Sequence, residues 1–468
     1  MTLPDSLRID AWTGDRAASA AVGSNAIRWG VQPHAMPVSR TLAADEPPDM
    51  RLWADDKVGW GLLLPENEGI SEADRARATD APEPIQALLA SRPGSAVFRW
   101  RADSNHRWIY RYYADRAREV RPIVGAGPRG NGPGRLPYYL LIYGGPNEIP
   151  WSAQYVLSQP CFVGRLHLKG EALERYVTTL MAGWPGSACQ PDHPVVWAAD
   201  DGSGDITELM RKVIAEPIHQ ELSADSQIGA NASLDTGAQA TIDRLKSQLS
   251  QQRPALVVST SHGLTAPLAP AGAMAGQLGV PVDSAHKVLD PGDLLAAWEP
   301  DGAIWYAHAC CSAGSDSRNS YSDLVPAASP VGQILTAVAA VGPTISPLPT
   351  ALLSAKKPLR AFVGHVEPTF DWTLRAPENG AELTDSIVEA MYRRLFRAKP
   401  EPISMALNRT YRHVGELLAQ HAQALKDIAL NLPGSRVAAV RLQLTALDRQ
   451  SMVVLGDPTV ALPPLPGN

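Results

Sequence analysis

Two apolar segments of the chain end in residues that can perform nucleophilic chemistry. Residues 254–263 (PALVVSTSHG) end in His262 and Gly263, and residues 303–311 (AIWYAHACC) end in Cys310 and Cys311. A cysteine thiol is mostly protonated at neutral pH, but a nearby imidazole lowers its pKa and can later protonate a leaving amine. The small residues at 312–314 would let backbone N–H groups approach a developing oxyanion. The combination indicates a cysteine nucleophile with a histidine partner.

A predicted parallel sheet would position these residues. Apolar, strand-like runs alternate with segments of helical period, which is typical of a mainly parallel sheet covered by helices on both faces. The carboxyl ends of such strands share one edge, where sites form. The predicted strands are 138–144, 162–168, 194–200, 254–263, 303–311, 359–367 and 452–460, and the predicted helices are 171–181, 205–214, 240–249, 331–341 and 386–396.

The first part of the chain has a different character. It is rich in Trp, Pro, Asp and Arg, and residues 53–66 and 95–113 are expected to form short antiparallel strands. The densest Gly/Pro stretch, residues 124–137, predicts a loop or linker. We therefore expect an N-terminal accessory region at 1–135 and the main domain at 136–468. The accessory region would serve as packing surface or as a recognition module.

Composition excludes several classes of protein. The 468 residues include 42 Lys and Arg against 48 Asp and Glu, a net charge of −6, so no strong basic field indicates nucleic-acid binding. Four cysteines form no disulfide framework and favour a reducing compartment. The start of the chain lacks a signal-peptide pattern, and the most apolar helical stretch, 334–341, is shorter than a membrane span. We expect a soluble cytoplasmic protein without membrane insertion.

An apolar strand ending in His-Gly, followed 48 residues after His262 by one ending in Ala-Cys, resembles the caspase-like cysteine peptidases. That group includes caspases, metacaspases, gingipains and the bacterial CHAT domains, and the likeness is to a bacterial subgroup. Residues 138–168 are similar to its first two core strands. Residues 359–368 resemble the strand after the nucleophile, and residues 452–463 resemble the C-terminal strand.

The resemblance implies a six-stranded, mainly parallel sheet sandwiched by helices. It makes His262 the general acid/base and Cys310, which directly follows Ala309, the nucleophile. The backbone N–H groups of Gly263 and Cys310 would form the oxyanion hole, and no metal or other cofactor is needed. Caspases have Arg or a similar residue where this chain has Cys311, which therefore remains a second candidate thiol.

The resemblance also suggests which residues line the substrate pocket. In such enzymes the pocket is commonly lined by the residue two before the nucleophile, here His308, and by the loop after the next strand, here 365–367. Glu367 and nearby Asp316 favour a basic residue before the cleaved bond, with Arg preferred to Lys because its fork matches a carboxylate. The alternatives are that His308 is simply packed and that Glu367 faces solvent.

These features predict a cysteine endopeptidase that acts on a protein or extended peptide. Some bacterial relatives act in antiphage defence, and some are paired with gasdermin-like pore formers, so a pore-forming protein is one candidate substrate. The main alternative is a catalytically silent, caspase-like scaffold that binds protein partners. Inert core cysteines and a hydrolase of small amides are also compatible with the sequence, and no oligomeric state is predicted.

Three further motifs favour structural roles. The G-x-G-x-x-G pattern at 125–130 is followed by Pro and Gly instead of a helix, so a loop is expected there and not a dinucleotide site. DDGSGD (200–205) lacks the acidic spacing of a calcium loop and predicts a turn that caps a helix at Asp205. His308 and Cys310 have no second Cys/His pair that would complete a zinc site.

Overall fold

The computed structural model describes residues 3–14, 18–31, 48–104, 106–202, 204–376 and 379–466. Within these ranges the chain forms an α/β structure. Its strands are β1 (Ser6–Arg8), β2 (Ala11–Trp12), β3 (Ser19–Ala21), β4 (Trp60–Pro65), β5 (Ala96–Trp100), β6 (Arg111–Tyr113), β7 (Arg116–Val120), β8 (Tyr139–Tyr143), β9 (Phe162–Leu166), β10 (Val195–Ala198), β11 (Ser233–Thr236), β12 (Leu256–Thr260), β13 (His262–Leu264), β14 (Pro281–Val282), β15 (Ile304–His308), β16 (Gly314–Ser315), β17 (Thr344–Ile345), β18 (Ala361–His365) and β19 (Met452–Gly456).

Helices separate most of these strands. The α-helices are α1 (Ala26–Val31), α2 (Glu72–Arg77), α3 (Glu83–Ala90), α4 (Trp151–Ser158), α5 (Gly170–Ala182), α6 (Ile206–Met210), α7 (Glu216–Ala224), α8 (Ile242–Gln252), α9 (Ala271–Ala275), α10 (Pro291–Ala297), α11 (Pro330–Val341), α12 (Pro347–Leu353), α13 (Asp385–Glu389), α14 (Ile403–Ala406), α15 (Asn408–Ala429) and α16 (Ser435–Ser451). Two π-helical turns, Arg211–Ala215 and Ala390–Arg394, continue α6 and α13. No helix in the described part of the chain is both long enough and apolar enough to cross a membrane.

The central sheet consists of two parallel halves that run in opposite directions. Its ten strands lie in the order β11-β10-β12-β15-β18-β19-β9-β8-β4-β5. The pairing of β18 with β19 is antiparallel, and every other neighbouring pair in this order is parallel. The carboxyl ends of β10, β12, β15 and β18 therefore meet at one edge, and those of β8 and β9 lie at the opposite edge.

The central sheet has more strands than the sequence led us to expect. A mainly parallel sheet flanked by helices is confirmed, but it has ten strands and not six. The runs at 138–144 and 162–168 do form strands, β8 and β9, and these lie beyond β19 in the sheet order. The strands next to β12 on its outer side are β10 and then β11. Strand β11 was missed because SLDT is short and only partly buried.

The first part of the chain continues the same sheet. Strands β4 and β5 pair parallel with each other, and β4 pairs parallel with β8, so the antiparallel arrangement expected for 53–66 is wrong. For 95–113 it is confirmed in part, because Arg99 and Tyr110 form an antiparallel bridge and β6 pairs antiparallel with β7. The two helices α2 and α3 provide the crossover that a parallel pair requires. The predicted boundary at residues 135 and 136 falls within this one sheet. The Gly/Pro stretch at 124–137 is a loop, as expected, but it is anchored by backbone hydrogen bonds such as the one from Asn131 N–H to the Asp56 carbonyl oxygen.

Local sequence explains the helix that follows the predicted nucleophile. Helix α11 begins at Pro330, whose missing N–H is not needed in the first turn. The hydroxyl of Ser329 accepts from the Gly332 N–H and caps the helix. Its buried residues include Val331, Ile334 and Val338, so the helix is buried on much of its surface, as the sequence predicted.

Candidate functional site

His262 and Cys310 follow neighbouring parallel strands. Strands β12 and β15 pair in parallel, with Thr260 opposite His308, so both chains reach the same sheet edge at the same level. His262 lies two residues past Thr260 and begins β13, which leaves the central sheet and pairs with β14 and β2. Cys310 lies two residues past His308. The expectation that both residues reach one edge is therefore met by the strand register.

Gly263 packs directly on the backbone of Cys310. A Cβ atom built on Gly263 would lie 1.9 Å from the Cys310 carbonyl oxygen and 3.1 Å from its backbone nitrogen. No real side chain fits in that space, so only glycine allows the two strand ends to approach so closely. The His-Gly pair and the cysteine thus form one contiguous site.

The His262 ring lies between two carboxylates. Its Nδ1 is 2.9 Å from Asp10 Oδ1, and its Nε2 is 3.1 Å from Asp205 Oδ1. Neither contact has the alignment of a good hydrogen bond, so both are best described as ion pairs. Burial alone would lower the pKa of His262, but the two carboxylates outweigh it and raise the pKa to about 10. The ring is therefore an imidazolium at neutral pH in this arrangement.

Asp205 is fixed by its role as a helix cap. Its Oδ1 accepts from the Thr207 N–H at 2.8 Å, which caps α6 as the sequence predicted. Burial alone would raise the pKa of Asp205, but its interactions with His262 and Thr207 lower that pKa by more than burial raises it. The carboxylate is therefore ionised. Asp201 lies 3.7 Å from the same ring nitrogen of His262. Among the described residues, Asp201, Asp205 and His262 form a group with the spacing of metal ligands.

The thiol of Cys310 is buried and protonated in this arrangement. Its Sγ accepts from the Thr369 N–H at 3.3 Å, and the residue has no solvent exposure. Burial and the neighbouring Asp10 charge raise the pKa of Cys310 well above its usual range. Burial and Glu367 likewise raise the pKa of Cys311, whose backbone adopts a left-handed conformation with φ of 56°. Both candidate thiols are therefore buried in surroundings that favour the protonated form.

Asp10 occupies one of the two predicted oxyanion donors and lies close to the other. The Gly263 N–H donates to the Asp10 carbonyl oxygen at 3.1 Å. The backbone N–H of Cys310 interacts with the Asp10 carboxylate and lowers its pKa, although burial has the larger effect and raises that pKa to about 7. Asp10 itself has no solvent exposure. One residue from the start of the chain thus contacts His262, Gly263 and Cys310.

The predicted pocket residues divide into two groups. Asp316 and Glu367 line a common cavity of about 10 Å³, together with Arg318 and Tyr321. Glu367 is 8% exposed, so the alternative in which it faces solvent is wrong. Burial and the charge of Asp316 raise the pKa of Glu367 to about 8.

His308 lies apart from this cavity. It is fully buried, its Nδ1 is 2.9 Å from the Tyr306 hydroxyl oxygen, and its ring packs edge-on against His365 at 4.6 Å. Burial lowers its pKa well below the usual range, so the ring is neutral. These contacts favour the packed role for His308 over a place in the pocket.

Sequence reasoning missed three residues that surround the dyad. Asp205 and Thr369 follow β10 and β18, whose carboxyl ends lie at the same edge, so the strand-end rule would have found them once those strands were placed. Asp10 has no such signal, because it comes from a short segment far from the sheet strands in sequence. Its place beside His262 depends on long-range packing alone.

Comparison of this chain with protein-family models, with curated proteins and with solved structures finds no match.

Proposed function

We propose that this protein is a cysteine endopeptidase with Cys310 as nucleophile and His262 as general acid/base. The observation that carries the proposal is the neighbouring position of β12 and β15, which brings His262 and Gly263 against the backbone of Cys310. Six adjacent strands of the sheet, in the order β11-β10-β12-β15-β18-β19, also fit the mainly parallel sheet that the caspase-like resemblance implies.

The proposed reaction uses groups already present at this edge. Once Asp10 no longer contacts His262, the neutral imidazole takes the proton of the Cys310 thiol. The Cys310 thiolate then attacks a peptide carbonyl carbon, and the N–H groups of Gly263 and Cys310 stabilise the oxyanion. The imidazolium of His262 protonates the departing amine as the C–N bond breaks, which leaves a thioester. Water then hydrolyses the thioester and regenerates the thiol. Asp205 orients the ring from its Nε2 side and stabilises its positive charge.

Variants of the two cysteines and of His262 test this proposal. Cys310→Ala and His262→Ala should each reduce hydrolysis of a peptide library by about a thousandfold or more, because each group takes part in bond making. Cys311→Ala is the matched control and should retain most of the activity. Circular dichroism checks that all three variants fold. An inactive Cys311→Ala with an active Cys310→Ala would show that the other thiol is the nucleophile.

We also propose cleavage after a basic residue. The cavity between Asp316 and Glu367 is lined by two carboxylates, and a guanidinium entering it would pair with Glu367 and favour its ionised form. At about 10 Å³ the cavity has to widen to admit an arginine side chain, and Arg318 has to move aside.

Peptides that differ only in the residue before the cleaved bond test this preference. Arg should be preferred to Lys, and Glu367→Gln should reduce the preference for Arg by about tenfold. A preference for Asp or for a large apolar residue would contradict the assignment. So would a Glu367→Gln variant that selects Arg as strongly as the parent chain.

One observation favours a second candidate, a scaffold that binds partners without catalysis. The Cys310 thiol is fully buried, and both ring nitrogens of His262 face carboxylates, so the structure is closed to substrate. A scaffold would remain in this state under all conditions. An electrophilic peptide that reacts selectively with Cys310 would exclude the scaffold, and a folded chain that never reacts would support it.

A further inference from the structure

We infer that the groove between β13 and residues 366–371 is a binding site for an extended peptide, and that residues 7–12 of this same chain occupy it and hold the site closed. The inference rests on the proposed function in one respect, namely that the closed site prevents peptide hydrolysis. It names the kind of ligand, an extended peptide backbone, and a built-in occupant. We call residues 7–12 the N-terminal strand segment.

Backbone hydrogen bonds hold this segment on both sides. On one side the Asp10 N–H donates to the Thr369 carbonyl oxygen at 3.3 Å, and Ile9 forms an antiparallel bridge with Phe370. On the other side the Gly263 N–H donates to Asp10, and the Thr265 N–H donates to the Trp12 carbonyl oxygen at 2.8 Å. Because these bonds involve only main-chain atoms of the segment, another extended peptide can form them equally well.

Side chains of the segment add apolar and ionic anchors. Leu7, Ile9 and Ala11 are buried in a cluster that includes Cys310 and Phe370. Arg8 points the other way and forms an ion pair with Asp371 at 3.5 Å. Arg8 is the one partly exposed residue of the segment, and its other side chains are buried, so the groove encloses most of a strand-like peptide.

While the N-terminal strand segment occupies the groove, Asp10 prevents catalysis. Its carbonyl oxygen takes the Gly263 N–H that an oxyanion needs, and its carboxylate lies 2.9 Å from His262 Nδ1. A substrate carbonyl cannot use the Gly263 N–H while Asp10 accepts from it. A carboxylate is costly to bury without a partner, and the partner here is the proposed catalytic imidazole.

The N-terminal strand segment lies outside the central sheet, and the chain that follows it is anchored elsewhere by α1. Strands β1 and β2 belong to small separate sheets, and β2 has only two residues. Further along, α1 packs against α16, where a Cβ on Gly30 would lie 2.3 Å from a Val440 methyl carbon. The segment can therefore leave the groove while the chain stays attached through α1.

Alkylation of Cys310 tests the inference in the full-length chain. Parent and Asp10→Ala proteins are treated with iodoacetamide, and the modified cysteine peptides are quantified by mass spectrometry. Asp10→Ala should raise the Cys310 rate by about tenfold or more, because it removes one partner of a buried ion pair that holds the segment in place. Cys189, which is partly exposed and away from the site, is the internal reference and should not change. Asp5→Ala, at an exposed carboxylate just before the segment, is the matched control and should behave as the parent.

Two further variants cover the case in which Asp10→Ala does not fold. Asp10→Asn keeps the shape of the side chain, and Arg8→Ala removes only the partly exposed ion pair with Asp371. Each should raise the Cys310 rate in a folded chain. If no folded variant raises this rate, the inference is wrong. If the parent hydrolyses peptides and Asp10→Ala does not, Asp10 is part of the catalytic machinery and the inference is also wrong.

A synthetic peptide of residues 5–14 tests the groove itself. Added to the Asp10→Ala chain, it should slow alkylation of Cys310, and a scrambled peptide should not. Equal effects of the two peptides would contradict a peptide-binding groove. If Cys310 becomes accessible and is protected by the peptide but no hydrolysis is seen, the inference stands and the proposed peptidase function is wrong.

Discussion

At the scale of single residues, the contact between Asp205 and His262 sets the charge of the imidazole. Asp205 is held as the cap of α6 and lies 3.1 Å from Nε2, so it stays in place whether or not Asp10 is present. Asp205 is therefore a positioning residue in this account, since it acts on the reaction only through His262.

Asp205→Asn should lower the pKa of His262, because it removes one of the two carboxylates that raise it. The imidazolium then loses its proton at lower pH, so the alkaline limb of kcat/KM should shift to lower pH, and kcat should fall by about tenfold or more with little change in KM. The pH profile of peptide hydrolysis measures this shift. Asp201→Asn, whose contact with His262 is longer at 3.7 Å, is the control and should shift the limb less. An unchanged limb in Asp205→Asn would contradict the assigned role.

At the scale of elements, the site depends on how closely β13 can approach the turn after β15. Gly263 lies against the Cys310 carbonyl oxygen, and this contact leaves no room for a side chain. The same contact brings the two predicted oxyanion donors together. Stability and catalysis thus depend on one close approach between two strand ends.

Gly263→Ala should lower the free energy of unfolding by about 1–3 kcal/mol, because the added methyl forces two backbones apart. Denaturant unfolding measures the change. Gly272→Ala is the matched control, since an added Cβ there meets no atom within 4 Å, and it should be neutral or slightly stabilising. If Gly263→Ala is as stable as Gly272→Ala, the close approach described here is wrong.

Local patterns in the sequence were sufficient to predict the strands that carry the dyad but not the arrangement of the sheet. The apolar runs at 254–263 and 303–311 became β12, β13 and β15, and Asp205 caps its helix as expected. Strand order is set by packing between distant segments, so local patterns could not place β8 and β9 beyond β19. Asp10 could not be predicted for the same reason, because its partners His262 and Cys310 lie far away in the chain.

At the scale of the whole molecule, the first and second parts of the chain form one sheet. Strands β4 and β5 extend it past β8, and a buried ion pair between Arg92 and Asp457 at 3.0 Å links the first part to the end of β19. The N-terminal strand segment reaches the candidate site on the other half of the molecule. The first 135 residues therefore contribute both to the central sheet and to the closed state of the site.

Peptide hydrolysis by paired cysteine variants in the Asp10→Ala chain tests the central claim most directly, because that change opens the proposed site. The account predicts that Asp10→Ala/Cys311→Ala hydrolyses peptides at a rate near that of Asp10→Ala. It predicts that Asp10→Ala/Cys310→Ala, shown by circular dichroism to be folded, has lost about a thousandfold or more of that rate. Hydrolysis retained in the folded Asp10→Ala/Cys310→Ala chain would contradict the claim that Cys310 is the nucleophile.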